Sequence, residues 1–291
     1  MATEPLPDKR QMRRAFDRAA PDYDAAAVLQ REVGQRLLER LDLIRFTPER
    51  ILDAGCGTGL CLPGLRQRYP KAAITALDIA EGMLRAARAR QGLWQRLRRS
   101  TGFVCGDVER LPLRDESVDL IFSNLTFQWC VDLPAMFAEL RRVLRPGGLL
   151  LFTSFGPDTL HELRASWAQV DDRPHVNVFP DMHHVGDWLL QTPFADPVTD
   201  VERITLTYDD VFGIMRDLKT IGAHNVLAGR ARGLTGKARI AALREAYETW
   251  RRDGRLPVTY EVVFGHAWKT TQATGAQQTV CFTPTPGGTP S

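Results

Sequence analysis

The sequence has few cysteines and no long apolar run, and each lack narrows the kinds of protein that it can encode. Its five cysteines are odd in number, widely spread and without a CxxC pair, so neither a disulfide framework nor a zinc knuckle is expected. The most apolar stretch, around 149–155, is too short to cross a bilayer, and residues 1–18 carry charges where a leader would be apolar. A soluble, cytoplasmic protein with reduced thiols is therefore expected.

The sequence also lacks an excess of charge of either sign, and it has no internal repeat. Its 38 lysines and arginines against 35 aspartates and glutamates leave a net charge of +3 over 291 residues. That balance argues against a protein that binds nucleic acid over its whole surface. With 44% hydrophobic and 25% charged residues, the composition is that of one large globular domain, or of one domain with an elaboration.

Short apolar runs alternate with amphipathic stretches through the first half of the chain. A helix is expected at 29–41, where leucine or valine recurs every fourth position, and another at 133–144, which ends at the breaker run 145–148. The apolar runs predict strands at 51–54, 73–77, 103–105, 118–123 and 149–155. Strands that alternate with helices predict an α/β fold with a doubly wound, mostly parallel sheet.

Beyond residue 155 the pattern is less regular. Helices are expected near 158–170, 183–190, 209–221 and 236–250, and strands near 198–206 and 258–269. The tail 270–291 contains seven threonines and no charged side chain. Because such a segment cannot bury enough apolar surface to order itself, it is expected to stay disordered.

The most informative segment is a glycine-rich loop at 53–59, which reads Asp-Ala-Gly-Cys-Gly-Thr-Gly and lies between an expected strand and an expected helix. Its glycines allow a sharp turn and a close approach of ligand to backbone. In a dinucleotide-binding loop the helix N-terminus faces a pyrophosphate, which the acid Asp53 would repel. A ligand that carries an ammonium group and no phosphate therefore fits this loop better.

Four consecutive expected strands each end in a polar residue. Asp53 belongs to the first, Asp78 to the second, Asp107 to the third and Asn124 to the fourth. Because the carboxyl ends of parallel strands share one edge of a sheet, these side chains should converge. A carboxylate at Asp78 can accept both hydroxyls of a ribose, and one at Asp107 can accept from an adenine amino group. The pattern predicts a nucleoside site.

These motifs, together with 145–148, resemble those of the class I S-adenosylmethionine-dependent methyltransferases over about residues 45–155. The resemblance implies a seven-stranded sheet with a reversed final strand at 258–269, and S-adenosylmethionine as cofactor. It also implies that the glycines lie against the methionine part, that Asp78 binds the ribose and that Asp107 and Val108 flank the adenine. The expected cofactor contacts are Asp53, Gly55, Gly57, Gly59, Asp78, Ile79, Met83, Asp107, Val108 and Asn124.

Further segments, at 14–24, 123–129, 155–163, 175–177 and 218–225, resemble the malonyl-acyl carrier protein O-methyltransferases of biotin synthesis, and the similarity extends to about residue 269. This resemblance implies methyl transfer to the free carboxylate of a malonyl thioester, giving the methyl ester that primes pimeloyl and biotin synthesis. A similar pattern occurs in an assembly factor that modifies a protein arginine. The pattern is also compatible with methylation of a small molecule or quinone precursor, and with a binding factor that has no catalytic activity.

The implied reaction needs no general base, because a carboxylate is already ionised at neutral pH. Among the aromatic residues, Tyr23 is expected to be exposed in a turn and to act as a lid. Trp129 is as consistent with a wall of the site as with the core. Phe127 is expected in the core. No metal is expected, because His183 and His184 lack further ligands at suitable spacing. The residues expected to position the substrate are Tyr23, Gln128, Trp129 and His224.

The chain is expected to divide into an N-terminal helical lid (1–45), a methyltransferase domain (46–269) with a helical insertion at about 208–255, and the tail. The expected partner is malonyl-acyl carrier protein, with malonyl-coenzyme A as a second candidate, and neither nucleic acid nor membrane is expected. Acyl carrier proteins are acidic as a family, so a basic cluster in the insertion is the expected docking face. That cluster comprises Arg230, Arg232, Lys237 and Arg239.

Overall fold

A computed structural model describes residues 8–92, 101–221 and 236–271, and within those ranges the chain forms one sheet of seven strands. The strands are β1 Arg50–Ala54, β2 Ala73–Asp78, β3 Thr101–Cys105, β4 Val118–Ser123, β5 Leu144–Phe155, β6 Phe194–Tyr208 and β7 Leu256–Lys269. The helices are α1 Lys9–Ala19, α2 Tyr23–Ala26, α3 Val28–Arg40, α4 Leu62–Arg68, α5 Glu81–Ala89, α6 Leu133–Val143, α7 His161–Ala168, α8 Met182–Gln191, α9 Val211–Thr220 and α10 Lys237–Glu248. Short 3₁₀ turns cover Leu41–Leu43 and Phe127–Trp129.

The strand order is β3-β2-β1-β4-β5-β7-β6. The first five strands in that order pair in parallel, whereas β7 is antiparallel to both β5 and β6. The doubly wound fold and the reversed final strand are thereby confirmed. Chain order changes direction between β1 and β4, which is where open α/β sheets form a crevice for ligands.

Apolar side chains fill both faces of the sheet, because successive residues of a strand point to opposite sides. Ile51 packs into the core on one face, and its neighbour Leu52 packs into the core on the other. The expected stripe on α3 lies on the first face, where Leu29, Val33 and Leu37 are buried. The near-continuous apolar runs seen in the sequence therefore reflect strands that are covered on both sides.

Aspartate side chains set where several helices begin. Asp8 accepts hydrogen bonds from the backbone N–H groups of the first turn of α1, and Asp132, Asp181 and Asp210 do the same for α6, α8 and α9. Each cap satisfies N–H groups that have no partner within the helix itself. Asp181 accepts hydrogen bonds from the backbone N–H groups of His183 and His184. These two histidines therefore belong to the capped first turn of α8.

The breaker run at 145–148 lies inside a strand rather than before one. The strand β5 starts at Leu144, which pairs with Val118, and its next partner pair in register is Leu149 with Leu120. The intervening residues are accommodated as an irregularity in which Gly147 takes a positive φ of 75°. The expectation that the strand begins at residue 149 was wrong because a bulge lets turn residues stay in the ladder.

Two groups of helices fall outside the alternation of strands and helices along the chain. The helices α1, α2 and α3 precede β1, and α9 and α10 lie between β6 and β7, inside the stretch expected as an insertion. α9 contacts α2, which brings the two sets of helices together. Across the described ranges, no helix combines the length and the apolar character that crossing a membrane requires.

Candidate active site

A cavity of about 800 Å³ opens at the carboxyl ends of the parallel strands. Residues that end or follow consecutive strands line it, among them Gly55 after β1, Asp78 at the end of β2, Gly106 after β3 and Asn124 after β4. Of the four polar residues predicted to converge at this edge, Asp78, Asp107 and Asn124 line the cavity, whereas Asp53 does not. The cavity continues beyond these residues towards α7 and α9.

The glycine loop contacts the cavity through two of its three glycines. Gly55 and Gly57 line the cavity with φ values of 78° and 53°, and nothing lies within 4 Å of a Cβ built on Gly57. A Cβ on Gly55 would come within 2.1 Å of the Thr126 hydroxyl oxygen. The loop thus needs glycine for its left-handed backbone at both positions, and it leaves Gly57 open to a ligand.

Gly59, expected as a cofactor contact, does not line the cavity. Its Cβ position points at Leu62, 2.9 Å away, and at the Cβ of Ala87, 3.1 Å away. Its φ is 78°, so glycine is required there for the turn and for the packing of α4 against α5. Gly59 therefore contributes to the conformation of the loop and not to the wall of the cavity.

Two buried carboxylates flank the loop. The Asp78 side chain lines the cavity and accepts backbone N–H bonds from Gly57 at 2.9 Å and from Ala80 at 2.8 Å. Burial raises the pKa of Asp78 to about 6, although these bonds oppose the rise. Asp78 therefore orients the loop and still offers free lone pairs to the cavity.

Asp53, also expected as a cofactor contact, is 2% exposed and is not among the residues that line the cavity. Burial, and then the charge of Asp78, raise the pKa of Asp53 to about 7. Its Oδ2 atom has no hydrogen-bond partner among the residues that the structure describes. A buried carboxylate without a compensating donor is costly, so this position favours a cationic group nearby.

The third acid, Asp107, is paired with the N-terminal helix. Its Oδ2 atom accepts from the ammonium of Lys9 in α1, which also pairs with Glu109. Val108, Ile79 and Met83, which the resemblance implies as cofactor contacts, also line the cavity. Lys9 itself was not predicted, because a lone lysine in the first turn of a helix carries no signal of a contact made across the fold.

Two side-chain amides that follow β4, those of Asn124 and Gln128, are hydrogen-bonded to neighbouring parts of the chain. Asn124 donates from Nδ2 to the Gln30 carbonyl at 2.8 Å and accepts from the Thr153 hydroxyl at 2.9 Å. Gln128 donates to the Leu125 carbonyl at 2.7 Å, whereas its Oε1 atom has no partner within the described chain. Both line the cavity, and Gln128 keeps an acceptor for a ligand.

The aromatic residues divide between wall and core. Tyr23 and Trp129 line the cavity, and Trp129 packs edge-to-face on Phe16 with ring centroids 5.3 Å apart. Phe127 is buried among Phe137 and Phe152 on the opposite side of the turn, so it belongs to the core as expected. Tyr23 is half-buried at the start of α2, which corrects the expectation of an exposed turn residue. Its pKa is raised, chiefly by burial.

The far part of the cavity, here called the distal chamber, is apolar. It is lined by Leu163, Trp167, Val176, Phe179, Met215 and Tyr260. The residues Arg173, His175 and Arg239 also line the cavity. Arg239 was expected on an outer docking face with Arg230 and Arg232, which lie outside the described residues, as does His224.

His161 packs against Trp250 with ring centroids 5.5 Å apart and is not among the residues lining the cavity. His175 was singled out only as part of a family-like segment. Its Nε2 atom lies 2.8 Å from Asp171 Oδ1, and its ring stacks on Trp167 at 3.7 Å. The sequence signal that could have identified it is the spacing Asp171-x-Arg173-x-His175 in a loop that follows a helix.

Comparisons with known proteins agree with this geometry. Residues 52–152 match the family model described as "Methyltransferase domain". The malonyl-[acyl-carrier protein] O-methyltransferase of Gallionella capsiferriformans is 57% identical over 90% of this chain and 91% of its own length, and that of a Methylovorus species is 55% identical over 91% and 90%. The YcgJ protein from Bacillus subtilis is 17% identical, covers 81% of this chain and 99% of its own, and superposes with a TM-score of 0.56, which shows a shared fold.

Proposed function

This chain belongs to the malonyl-[acyl-carrier protein] O-methyltransferase family, and we propose that it methylates the free carboxylate of a malonyl thioester with S-adenosylmethionine as the methyl donor. One observation carries the proposal: a nucleoside-type site at the strand ends and an apolar chamber belong to a single cavity. The resemblance places the resulting methyl ester at the start of pimeloyl and biotin synthesis.

The residues on the donor side fit S-adenosylmethionine, which when bound supplies an electrophilic methyl group on a sulfonium. Gly57 leaves open space where a side chain would block the loop. Asp78 offers acceptors suited to ribose hydroxyls, and Asp107 an acceptor suited to an adenine amino group. The unpartnered Oδ2 of Asp53 suits the nearby ammonium of an amino-acid group.

The acceptor side can work by placement alone. A malonyl carboxylate is ionised at neutral pH, so attack on the methyl carbon requires no proton transfer to the protein. Among the described residues, the imidazole that lines the cavity is that of His175, and its Nε2 atom is engaged by Asp171. Positioning two reactants in line is worth up to about 7 to 11 kcal/mol.

The walls determine how well that placement works. An anion and a cation that react disperse their charges at the transition state, which favours a site from which water is excluded. Tyr23, Trp129 and Phe16 enclose the cavity beside the glycine loop, and Gln128 retains an acceptor there. We assign Tyr23, Gln128 and Trp129 to positioning the substrate.

We also propose that residues 1–45 form a lid over the donor site. Polar contacts tie their described part to the cofactor loops, among them Lys9 to Asp107, Asp17 to the Gly82 N–H at 2.8 Å, and Asp24 to the Thr58 hydroxyl at 2.6 Å. Each anchor lies next to an expected cofactor contact. All three contacts are only partly buried, so water can replace them when the segment opens to admit the cofactor.

The family relationship favours malonyl-acyl carrier protein as acceptor over a protein arginine or a quinone precursor, since relatives of 50–57% identity carry the malonyl-[acyl-carrier protein] name. Methylation of malonyl-coenzyme A, and docking of the acidic carrier on Arg230 and Arg232, remain parts of this proposal. Arg239 is removed from the docking face, because it lines the cavity.

The test is incubation of the protein with methyl-labelled S-adenosylmethionine and malonyl-acyl carrier protein. Base-labile label on the acyl group is the expected result, with unacylated carrier protein as the control that must stay unlabelled. A matched Asp78→Ala variant should lose transfer at limiting cofactor. Absence of label on the malonyl group at saturating cofactor would refute the proposal, and base-stable label on the carrier protein would favour modification of a side chain.

A further inference from the structure

Among the residues that the structure describes, three cationic side chains line the cavity, and they are not equivalent. Lys9 is neutralised by Asp107 and Glu109 at the donor end. Arg239 pairs with Asp171, its Nη2 atom lying 2.5 Å from Oδ2. Arg173 is exposed and has no ion pair among the residues that the structure describes. The distal side of the cavity therefore carries an excess of positive charge.

Asp171 contacts all three of the residues Arg173, His175 and Arg239 on the distal side of the cavity. It accepts from the Arg173 backbone N–H at 3.0 Å, and it holds the His175 ring and the Arg239 guanidinium from one carboxylate that is 12% exposed. Its ion pair is with Arg239, whereas it contacts Arg173 only through the backbone N–H, so the Arg173 guanidinium has no acidic partner within the described chain. The contacts of Asp171 hold these groups in place beside the cavity.

The position of the arginines indicates which anion they bind. Arg239 is 37% exposed and Arg173 is also exposed, which places both at the rim rather than beside the glycine loop. A carboxylate held by arginines would be stabilised more in the ground state than at the charge-dispersed transition state, and its reaction would slow. An arginine cluster at the rim is better suited to an anion that does not react.

We propose that Arg173 and Arg239 bind the phosphate group of the substrate's pantetheine arm, with the apolar distal chamber holding the arm between this rim and the methyl donor. Guanidinium groups match phosphate oxygens in pairs, whereas the chamber offers apolar walls to the rest of the arm. A free malonyl carboxylate is the other anion in the same substrate, and the experiment separates the two. The inference rests on the proposed function, since it takes a malonyl thioester as the substrate.

The test compares two ligands that differ only in the phosphate. Pantetheine 4′-phosphate and pantetheine are titrated calorimetrically into the protein saturated with S-adenosylhomocysteine, and the KM values of their malonyl thioesters are measured in parallel. We expect the phosphate to tighten binding about tenfold or more. The double variant Arg173→Ala, Arg239→Ala should reduce that advantage to about twofold, whereas Arg244→Ala, which removes an exposed arginine of α10 that does not line the cavity, should retain it.

The possible outcomes distinguish binding of the phosphate from binding of the malonyl carboxylate. Equal binding of the two ligands by the native protein would overturn the inference, and so would a double variant that keeps the full advantage. A double variant that raises both KM values equally would assign the arginines to the malonyl carboxylate. A native thermal unfolding profile excludes misfolding, and Arg173→Lys, Arg239→Lys should restore part of the advantage. Failure to methylate malonyl-acyl carrier protein would refute the proposed function, whereas methylation of that substrate without phosphate discrimination between the two ligands would refute this inference alone.

Discussion

The substitution Asp53→Asn is expected to stabilise the cofactor-free protein and to weaken the binding of its cofactor. Asp53 is buried, and its Oδ2 atom has no partner within the described chain. Burial raises the pKa of Asp53 from 3.8 to about 7. Since one pKa unit corresponds to about 1.36 kcal/mol, ionising this group in the fold costs up to about 4 kcal/mol.

The pH dependence follows from the direction of that change. A carboxyl whose pKa is raised by folding contributes its stability below the unfolded value, and loses it as the pH rises through about 7. Asn at this site has no such charge. Because a buried amide also needs partners, we expect a gain of about 1 to 3 kcal/mol at pH 8 that shrinks as the pH falls towards 5.

The assay is urea unfolding of both proteins at pH 5, 6.5 and 8, with S-adenosylhomocysteine affinity measured by calorimetry at pH 8. The affinity should fall by about 10- to 100-fold, as for loss of a hydrogen bond to a charged group. Glu139→Gln is the matched control with the opposite sign, because the Arg142 hydrogen bond lowers the pKa of Glu139 and its loss should destabilise the protein at pH 8. Destabilisation by Asp53→Asn at pH 8, or unchanged affinity, would refute the reasoning.

Four further outcomes are expected. Asp78→Ala should weaken cofactor binding by about 1.5 to 3 kcal/mol in calorimetry, and an unchanged dissociation constant would remove Asp78 from the site. At saturating cofactor the single-turnover rate should be flat from about pH 6 to 8, because no protein group must change protonation; a clear ionisation near neutrality would contradict this. Lys9→Met should speed cofactor release in stopped flow by up to about fivefold, the worth of a partly exposed ion pair, and slower release would contradict the lid. Charge reversal at Arg230 and Arg232 should raise the KM for malonyl-acyl carrier protein in a salt-sensitive way, with much less effect on malonyl-coenzyme A; equal losses would place these arginines in the pocket or in folding.

The donor side of the cavity could be predicted from sequence because its parts are local. A glycine loop between a strand and a helix, and an acid at the end of the next strand, are encoded in short segments, and parallel strands bring such ends together regardless of what packs around them. Gly55, Gly57, Asp78 and Asp107 line the cavity accordingly. Gly59 has the same local signal, and only packing against Ala87 distinguishes its role.

The substrate side depends on contacts between distant segments, which no local pattern records. Lys9 reaches Asp107 across 98 positions of the chain, and Arg239 meets Asp171 only because α10 packs against α7. By itself the sequence determined the sheet, the donor loop and the family likeness, since periodicity and strand-end chemistry are properties of neighbours in the chain. The tertiary structure alone decided that Trp129 forms a wall of the cavity and that Arg239 faces it, because burial and ion pairing depend on which surfaces meet in space.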